Sequence, residues 1–259
     1  MLGGSAWAQQ SFGFGVVPQF EARKLASIWV PVLRELEKRT GYKFKMIGSE
    51  NIPDFEVDFL GGKLDFAYMN PYHAMLAGRK QGYIPLVRDV GRKLFGILVV
   101  RKDSSIKSVS GLEGKSISFP APNALGASLL IRADLKNIFS VSVKPIYVNT
   151  HSSVFLNVVL GKTPAGGGVM STLKRQKEAI RSKLRIIQET RRIPPHPIVA
   201  HPRIAKAIRE KVRQALLELG RSPEGAKLLS LVPIRKIGVA TMADYLLLAE
   251  WGLEEFYVD

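Results

Sequence analysis

The 259-residue chain has no cysteine. Disulfides, thiolate metal sites, cysteine nucleophiles and a lipid anchor on an N-terminal cysteine are excluded. Four histidines are too few for a histidine-rich metal centre. No run of about 18 apolar residues occurs, so no helical membrane span is predicted. Acids are scarce: 22 Asp and Glu stand against 38 Lys and Arg, a formal charge of +16. With 46 % apolar and 23 % charged residues the chain has ordinary globular composition, which excludes disordered and fibrous classes. The length gives room for one large domain or for two lobes with cores of their own.

The positive excess is compatible with nucleic acid, a membrane surface or an anionic ligand. It is concentrated: from Ser171 to Arg213 thirteen Lys and Arg stand against three acids. No Arg-rich recognition helix framed by aromatics is present, and no zinc-finger or RNP pattern, so the excess reads as solvated helix faces around a field that favours anions. At the start of the chain, Ala6-Trp7-Ala8 before Gln9-Gln10 fits a signal-peptidase site, and residues 1–8 are expected to be the remnant of an export signal.

Hydrophobic periodicity predicts strands that alternate with helices along the whole chain. Residues 12–17, 42–47, 64–68, 94–101, 116–119, 144–148, 166–170 and 184–188 read as strands. Leu25, Ile28, Val32, Leu33 and Leu36 form one face of a helix stopped by Gly41, with a kink predicted at Pro31. Further helices are predicted over 53–60, 124–135, 154–160 with His151-Ser152-Ser153 as its cap, and 204–219; a last helix is predicted from Thr241-Met242-Ala243-Asp244. Gly166-Gly167-Gly168 is too glycine-rich to pack side chains, so backbone must approach closely there. The alternation argues for an α/β fold with mostly parallel sheets and a ligand at strand carboxyl ends. Segments 94–103 and 190–201 could cross between lobes; the expected lobes are 9–97 with 201–259, and 98–200.

Several motifs fail on inspection. Gly161-Lys162-Thr163 lacks the earlier glycine of a P-loop, since Leu156 stands there. Gly13-Phe14-Gly15 has Pro18 where a dinucleotide fingerprint needs a glycine. His196 and His201 are flanked by prolines and cannot form a helical zinc pair. No nucleophile elbow and no poised acid pair is found, so no catalyst, no cofactor and no metal is expected. What remains is a set of strand-to-helix turns rich in small and hydroxyl residues, where free N–H groups can hold an anion. These are Asn123-Ala124-Leu125-Gly126-Ala127-Ser128 and Thr150-His151-Ser152-Ser153, beside Ser171-Thr172 and Tyr68-Met69-Asn70.

At these residues the chain resembles the periplasmic solute-binding proteins of phosphate, phosphite and phosphonate ABC transporters. Five segments carry the resemblance: Phe12 to Gln19; Asp65-Phe66-Ala67-Tyr68-Met69-Asn70-Pro71-Tyr72; Phe119-Pro120-Ala121-Pro122; Thr150-His151-Ser152-Ser153-Val154 with Gly161-Lys162 and Gly166-Gly167-Gly168-Val169; and Pro195-His196-Pro197-Ile198-Val199. The resemblance implies a two-lobed type II periplasmic binding protein fold with a two-segment hinge, closing on its ligand. It implies a ligand site built from Tyr68, Met69, Asn70, Tyr72, Asn123, Ala124, Leu125, Gly126, His151, Ser152, Ser153, Thr172 and His196. The family's hydroxyl-rich oxyanion turn is replaced here by Asn123-Ala124-Leu125-Gly126-Ala127. Thr172 and His196 stand where relatives that bind aminoalkyl phosphonates carry acids. The implied function is capture of a small oxyanion or phosphonate-like ligand, by a monomer, for an ABC permease. A sensor partner of a membrane histidine kinase is an alternative on the same fold, as is an enzyme acting on a pyrimidine-type vitamin precursor.

Overall fold

The computed structural model describes residues 10–232 and 234–258. The proposed signal remnant at 1–8 lies outside them.

The first half of the chain runs β1 (Ser11–Val16), α1 (Ala22–Thr40), β2 (Lys43–Ile47), α2 (Ile52–Leu60), β3 (Phe66–Tyr68), α3 (Pro71–Gln81), β4 (Ile84–Asp89), β5 (Gly96–Arg101), β6 (Ser116–Phe119) and α4 (Leu130–Asn137). The second half runs β7 (Lys144–Tyr147), α5 (His151–Val159), β8 (Ala165–Val169), α6 (Met170–Lys174), α7 (Glu178–Arg181), β9 (Leu184–Glu189), β10 (Ile198–Ala200), α8 (Lys206–Leu219), α9 (Pro223–Leu231) and β11 (Ile237–Val239). The predicted face of α1 is the buried one, and the helix continues through Pro31 to a left-handed Gly41. Asn70 caps α3, accepting the His73 N–H at 2.8 Å.

Two sheets result, ordered β11-β4-β10-β3-β1-β2 and β7-β6-β8-β5-β9. β1, β2, β3 and β4 share one direction in the first sheet, and β6, β7, β8 and β9 share one in the second. The reversed strands are β10 and β11 in the first and β5 in the second. β5 and β10 are the first strands laid down after each crossing. A chain arriving from the neighbouring lobe enters from the opposite end of the sheet, which reverses its first strand.

The crossings lie between Asp89 and Gly96 and between Glu189 and Ile198. They pair with each other: the Leu94 and Ile193 backbones exchange hydrogen bonds of 2.7 and 2.9 Å. The lobe limits read from sequence are displaced by these strands. Gly96 and Ile97 belong to the second sheet, and residues 198–200, read as linker because of Pro194, Pro195 and Pro197, form β10 of the first. The C-terminal segment departs further. It is not a helix but three short 3₁₀ turns at Met242–Asp244, Leu246–Glu250 and Glu254–Phe256. Its Leu248 and Leu253 are buried with Leu125, Leu129 and Leu130 of the second lobe and Tyr72 of the first.

The predicted helix at 124–135 begins as a π-helical turn, Leu125–Leu129. The close approach predicted at the glycine run happens here. A Cβ on Gly167 would lie 2.1 Å from the Ala127 carbonyl oxygen, and one on Gly96 would lie 2.0 Å from that of Gly126. Only glycine lets β5 and β8 carry this turn against their backbones.

Candidate functional site

The carboxyl ends of β3 and β8, the turn before α4 and the β10 approach meet at the junction of the lobes. Tyr68 ends β3 and stacks on His196 with ring centroids 5.2 Å apart and planes 23° apart. Burial pushes the Tyr68 hydroxyl up to about 12, so it stays protonated. The Gln19 side-chain amide donates to His196 Nε2 at 3.1 Å, which places the ring proton on Nδ1. His151 is the first residue of α5, and Thr150 rather than the His151-Ser152-Ser153 run supplies the cap, accepting the Ser153 N–H at 3.1 Å. Thr172 Oγ1 donates to the Val169 carbonyl at 2.9 Å, so its 3.2 Å contact with His151 Nδ1 is a bond donated by the imidazole. Burial lowers His151 to about 4. His196 falls to about 3 through burial, then His73, Arg92 and His151. Both rings are neutral at pH 7.

The structure thus brings Tyr68, His151, Thr172 and His196 to one junction. The other sequence candidates fare differently. Asn123 is 1 % exposed and fully engaged: its Nδ2 donates to Glu56 Oε2 at 3.0 Å and to the Val258 carbonyl at 2.6 Å, and its Oδ1 accepts the Val258 N–H at 3.0 Å. Asn70, besides capping α3, donates to the Asn123 carbonyl across the lobes at 3.3 Å. Met69 lies in the core. Tyr72 turns away into the apolar cluster against Tyr257, ring centroids 5.5 Å apart. Ser153 Oγ bonds Thr150 Oγ1, and Ser152 Oγ accepts from Gln176. Ala124, Leu125 and Gly126 are buried, and Ala121, Ala124, Ala127 and Val169 join the first lobe's core beside Tyr68 and Met69. The inner junction is therefore packed with methyl groups where an oxyanion turn would present hydroxyls.

Open space lies on the hinge side of the same junction. A cavity of about 420 Å³ reaches from Tyr68, Gln19 and His196 to the crossing residues Arg92, Lys93, Leu94, Phe95, Arg192 and Pro195. Val169, Met170, Ser171 and Lys174 close it from the second lobe, and Arg235 from the first. Five cations and no acid line it. Sequence reading missed most of these residues because they are scattered at 92, 174, 192 and 235. The signal that could have found two of them was the basic run from Ser171 to Arg213. A second cavity of about 430 Å³, between α3 and residues 240–246, shares no lining residue with it.

Residues 14–245 match the family described as ABC transporter, phosphonate, periplasmic substrate-binding protein. The chain is 24 % identical to the phosphonates-binding periplasmic protein of Escherichia coli, over 89 % of this chain and 77 % of that one. A binding protein component of an ABC phosphonate transporter from Pseudomonas aeruginosa superposes with a TM-score of 0.83, covering 94 % of this chain and 86 % of its own at 19 % identity. PhnD1 of Prochlorococcus marinus, solved with methylphosphonate, gives 0.85 over 95 % and 98 % at 17 % identity. These likenesses carry the two-lobed α/β fold, and the match over most of the chain carries the family, whose members are transport solute-binding proteins and not enzymes. The chain belongs to the phosphonate periplasmic substrate-binding proteins of ABC transporters.

Proposed function

We propose that this chain captures a phosphorus oxyanion, a phosphonate or phosphate compound, at the junction of its two lobes in the periplasm and presents the closed form to an ABC permease. The observation that carries the reading is the convergence of Tyr68 and His196 from the first lobe with His151 and Thr172 from the second, beside a cavity whose lining holds five Lys and Arg and no acid. The relatives named phosphonate-binding, and the neighbour solved with methylphosphonate, point to the same ligand class. The moving halves are taken as 10–91 with 197–241, and 94–193, hinged where Leu94 pairs with Ile193. The clamp is complete in one chain, so the reading needs no second copy. No observation favours handing the closed form to a sensor kinase.

Closure strips water from the anion and aims fixed donors at it, with no covalent step. A thermal-shift series with phosphate, phosphite, methylphosphonate, sulfate and small carboxylates tests this. A phosphorus anion at a hundred times its Kd raises stability by about 2.7 kcal/mol. Stabilisation by carboxylates alone would overturn the reading.

A further inference from the structure

The cationic cavity says more about the ligand than the family does. Arg92 faces Asp89 at 2.9 Å and Arg192 faces Glu189 at 2.7 Å. Lys93, Lys174 and Arg235 have no acidic partner among the described residues. Asp89 is itself engaged, accepting from the backbone N–H groups of Gly91, Arg235 and Lys236. Like charges held around a concave space repel one another and focus a positive field that an anion relieves.

The space is far larger than one tetrahedral anion. About 420 Å³ falls in the range of pockets that enclose a whole organic ligand. Part of its wall is apolar: Leu94, Phe95, Val169 and Met170. Arg192 lies 4.2 Å over the Phe95 ring and pins it in place. The inner junction, by contrast, is packed with Ala121, Ala124, Ala127 and Val169.

Resting on the reading that the site takes a phosphorus oxyanion, we propose that this anion carries an apolar, ring-sized substituent. Its phosphorus group sits among Lys174, Arg235 and Arg92, and its substituent lies along Phe95, Leu94 and Met170. Guanidinium forks match phosphate oxygens, and several cations suit a dianion.

Calorimetric titration of the full chain with phenyl phosphate, methylphosphonate and inorganic phosphate at one ionic strength tests this. Phenyl phosphate is expected to bind at least tenfold more tightly than the other two. Lys174 and Arg235 are exposed side chains, so the double variant Lys174→Gln/Arg235→Gln keeps its melting temperature while losing at least tenfold in phenyl phosphate affinity. Phe95→Ala brings phenyl phosphate down to the affinity of inorganic phosphate. Methylphosphonate binding as tightly as phenyl phosphate, or insensitivity to the double substitution, overturns this inference and leaves the transport reading standing. Failure of all three anions to bind overturns both.

Discussion

At the inner end of the interlobe junction, Ala121, Ala124, Ala127 and Val169 press against Tyr68 and Met69. Toward the hinge, Arg92, Lys174, Arg192 and Arg235 surround open space. The inner end joins the lobes by apolar contact and by hydrogen bonds that use both side-chain donors of Asn123. The hinge end, beside the paired crossings, leaves open space and accumulates charge. The contrast teaches that packing and anion recognition, which one hydroxyl-rich turn could combine, are separated here into neighbouring places.

The largest expected effect probes what the groups at the proposed ligand lack, a free acid for an amine, since the buried Glu56 carboxylate is already held by Asn123 and His73. An ammonium drawn into the junction meets neutral His151 and His196, Thr172, and the cations of the hinge end. Buried without a partner it costs several kcal/mol. Calorimetry is expected to show no binding of 2-aminoethylphosphonate where an amine-free phosphate ester or alkylphosphonate binds. Tight aminophosphonate binding would contradict the placement of Thr172 and His196 at the ligand.

The inner end breaks at Asn123. Its amide joins Glu56 of α2 to the Val258 backbone, while its carbonyl accepts from Asn70. Glu56 also holds His73 at 2.8 Å. Asn123→Ala leaves a buried carboxylate oxygen and the Val258 N–H and carbonyl without their partner, at a cost of about 3 kcal/mol. Denaturant unfolding measures it; a loss below about 1 kcal/mol would show that the C-terminal segment holds without this clamp.

Gly167 tests the same end through the backbone. Alanine there puts a methyl group 2.1 Å from the Ala127 oxygen and 2.5 Å from Phe119 Cδ1. The turn or β8 must shift, costing about 2 kcal/mol by overpacking. Thermal unfolding of Gly167→Ala that matches the parent would refute the contact.

Much of this was legible before any coordinates. The glycine run announced a backbone contact because three adjacent glycines cannot fill a sheet face, and the α1 stripe announced its buried side. β10 was not legible: three prolines around it mask three residues whose strand pairing is entirely tertiary. Tyr72 misled because the turn after Tyr68 rotates it toward Tyr257. Asn123 misled because a helix-start asparagine looks like an anion donor until its partner, Val258, arrives from the far end of the chain. The hinge cations were illegible singly, since each reads as ordinary solvated charge.

Acid sharpens the comparison at the histidines. His151 and His196 keep values near 4 and 3 when folded, below the ordinary 6.5. Below about pH 6.5 the unfolded chain binds protons that the folded chain refuses. Stability therefore falls as pH drops, by up to about 1.4 kcal/mol per unit for each ring, and is fully present above 6.5. Melting temperatures between pH 7 and pH 5 check the slope, and His151→Gln/His196→Gln is expected to flatten it. Neither histidine titrates near pH 6.5, so a change in affinity there is expected to follow the ligand's own second ionisation, at about 6 for a phosphate ester, and to be kept in His151→Gln/His196→Gln.

The smallest effect belongs to Tyr68, the residue both ends share. Its ring is packed between Trp29, at 4.8 Å, and His196, while the residue also lines the hinge cavity. Removing the hydroxyl leaves both ring contacts in place, so Tyr68→Phe is expected to keep stability within about 0.5 kcal/mol. The phenol stays protonated because its value is pushed up to about 12, so it can donate to an anion oxygen. Losing one such bond costs about 1 kcal/mol, or roughly fivefold in affinity. Titration of the variant with phenyl phosphate measures the loss. Unchanged affinity would place the anion wholly among the hinge cations, out of reach of the inner end, and would make the separation of the two ends complete.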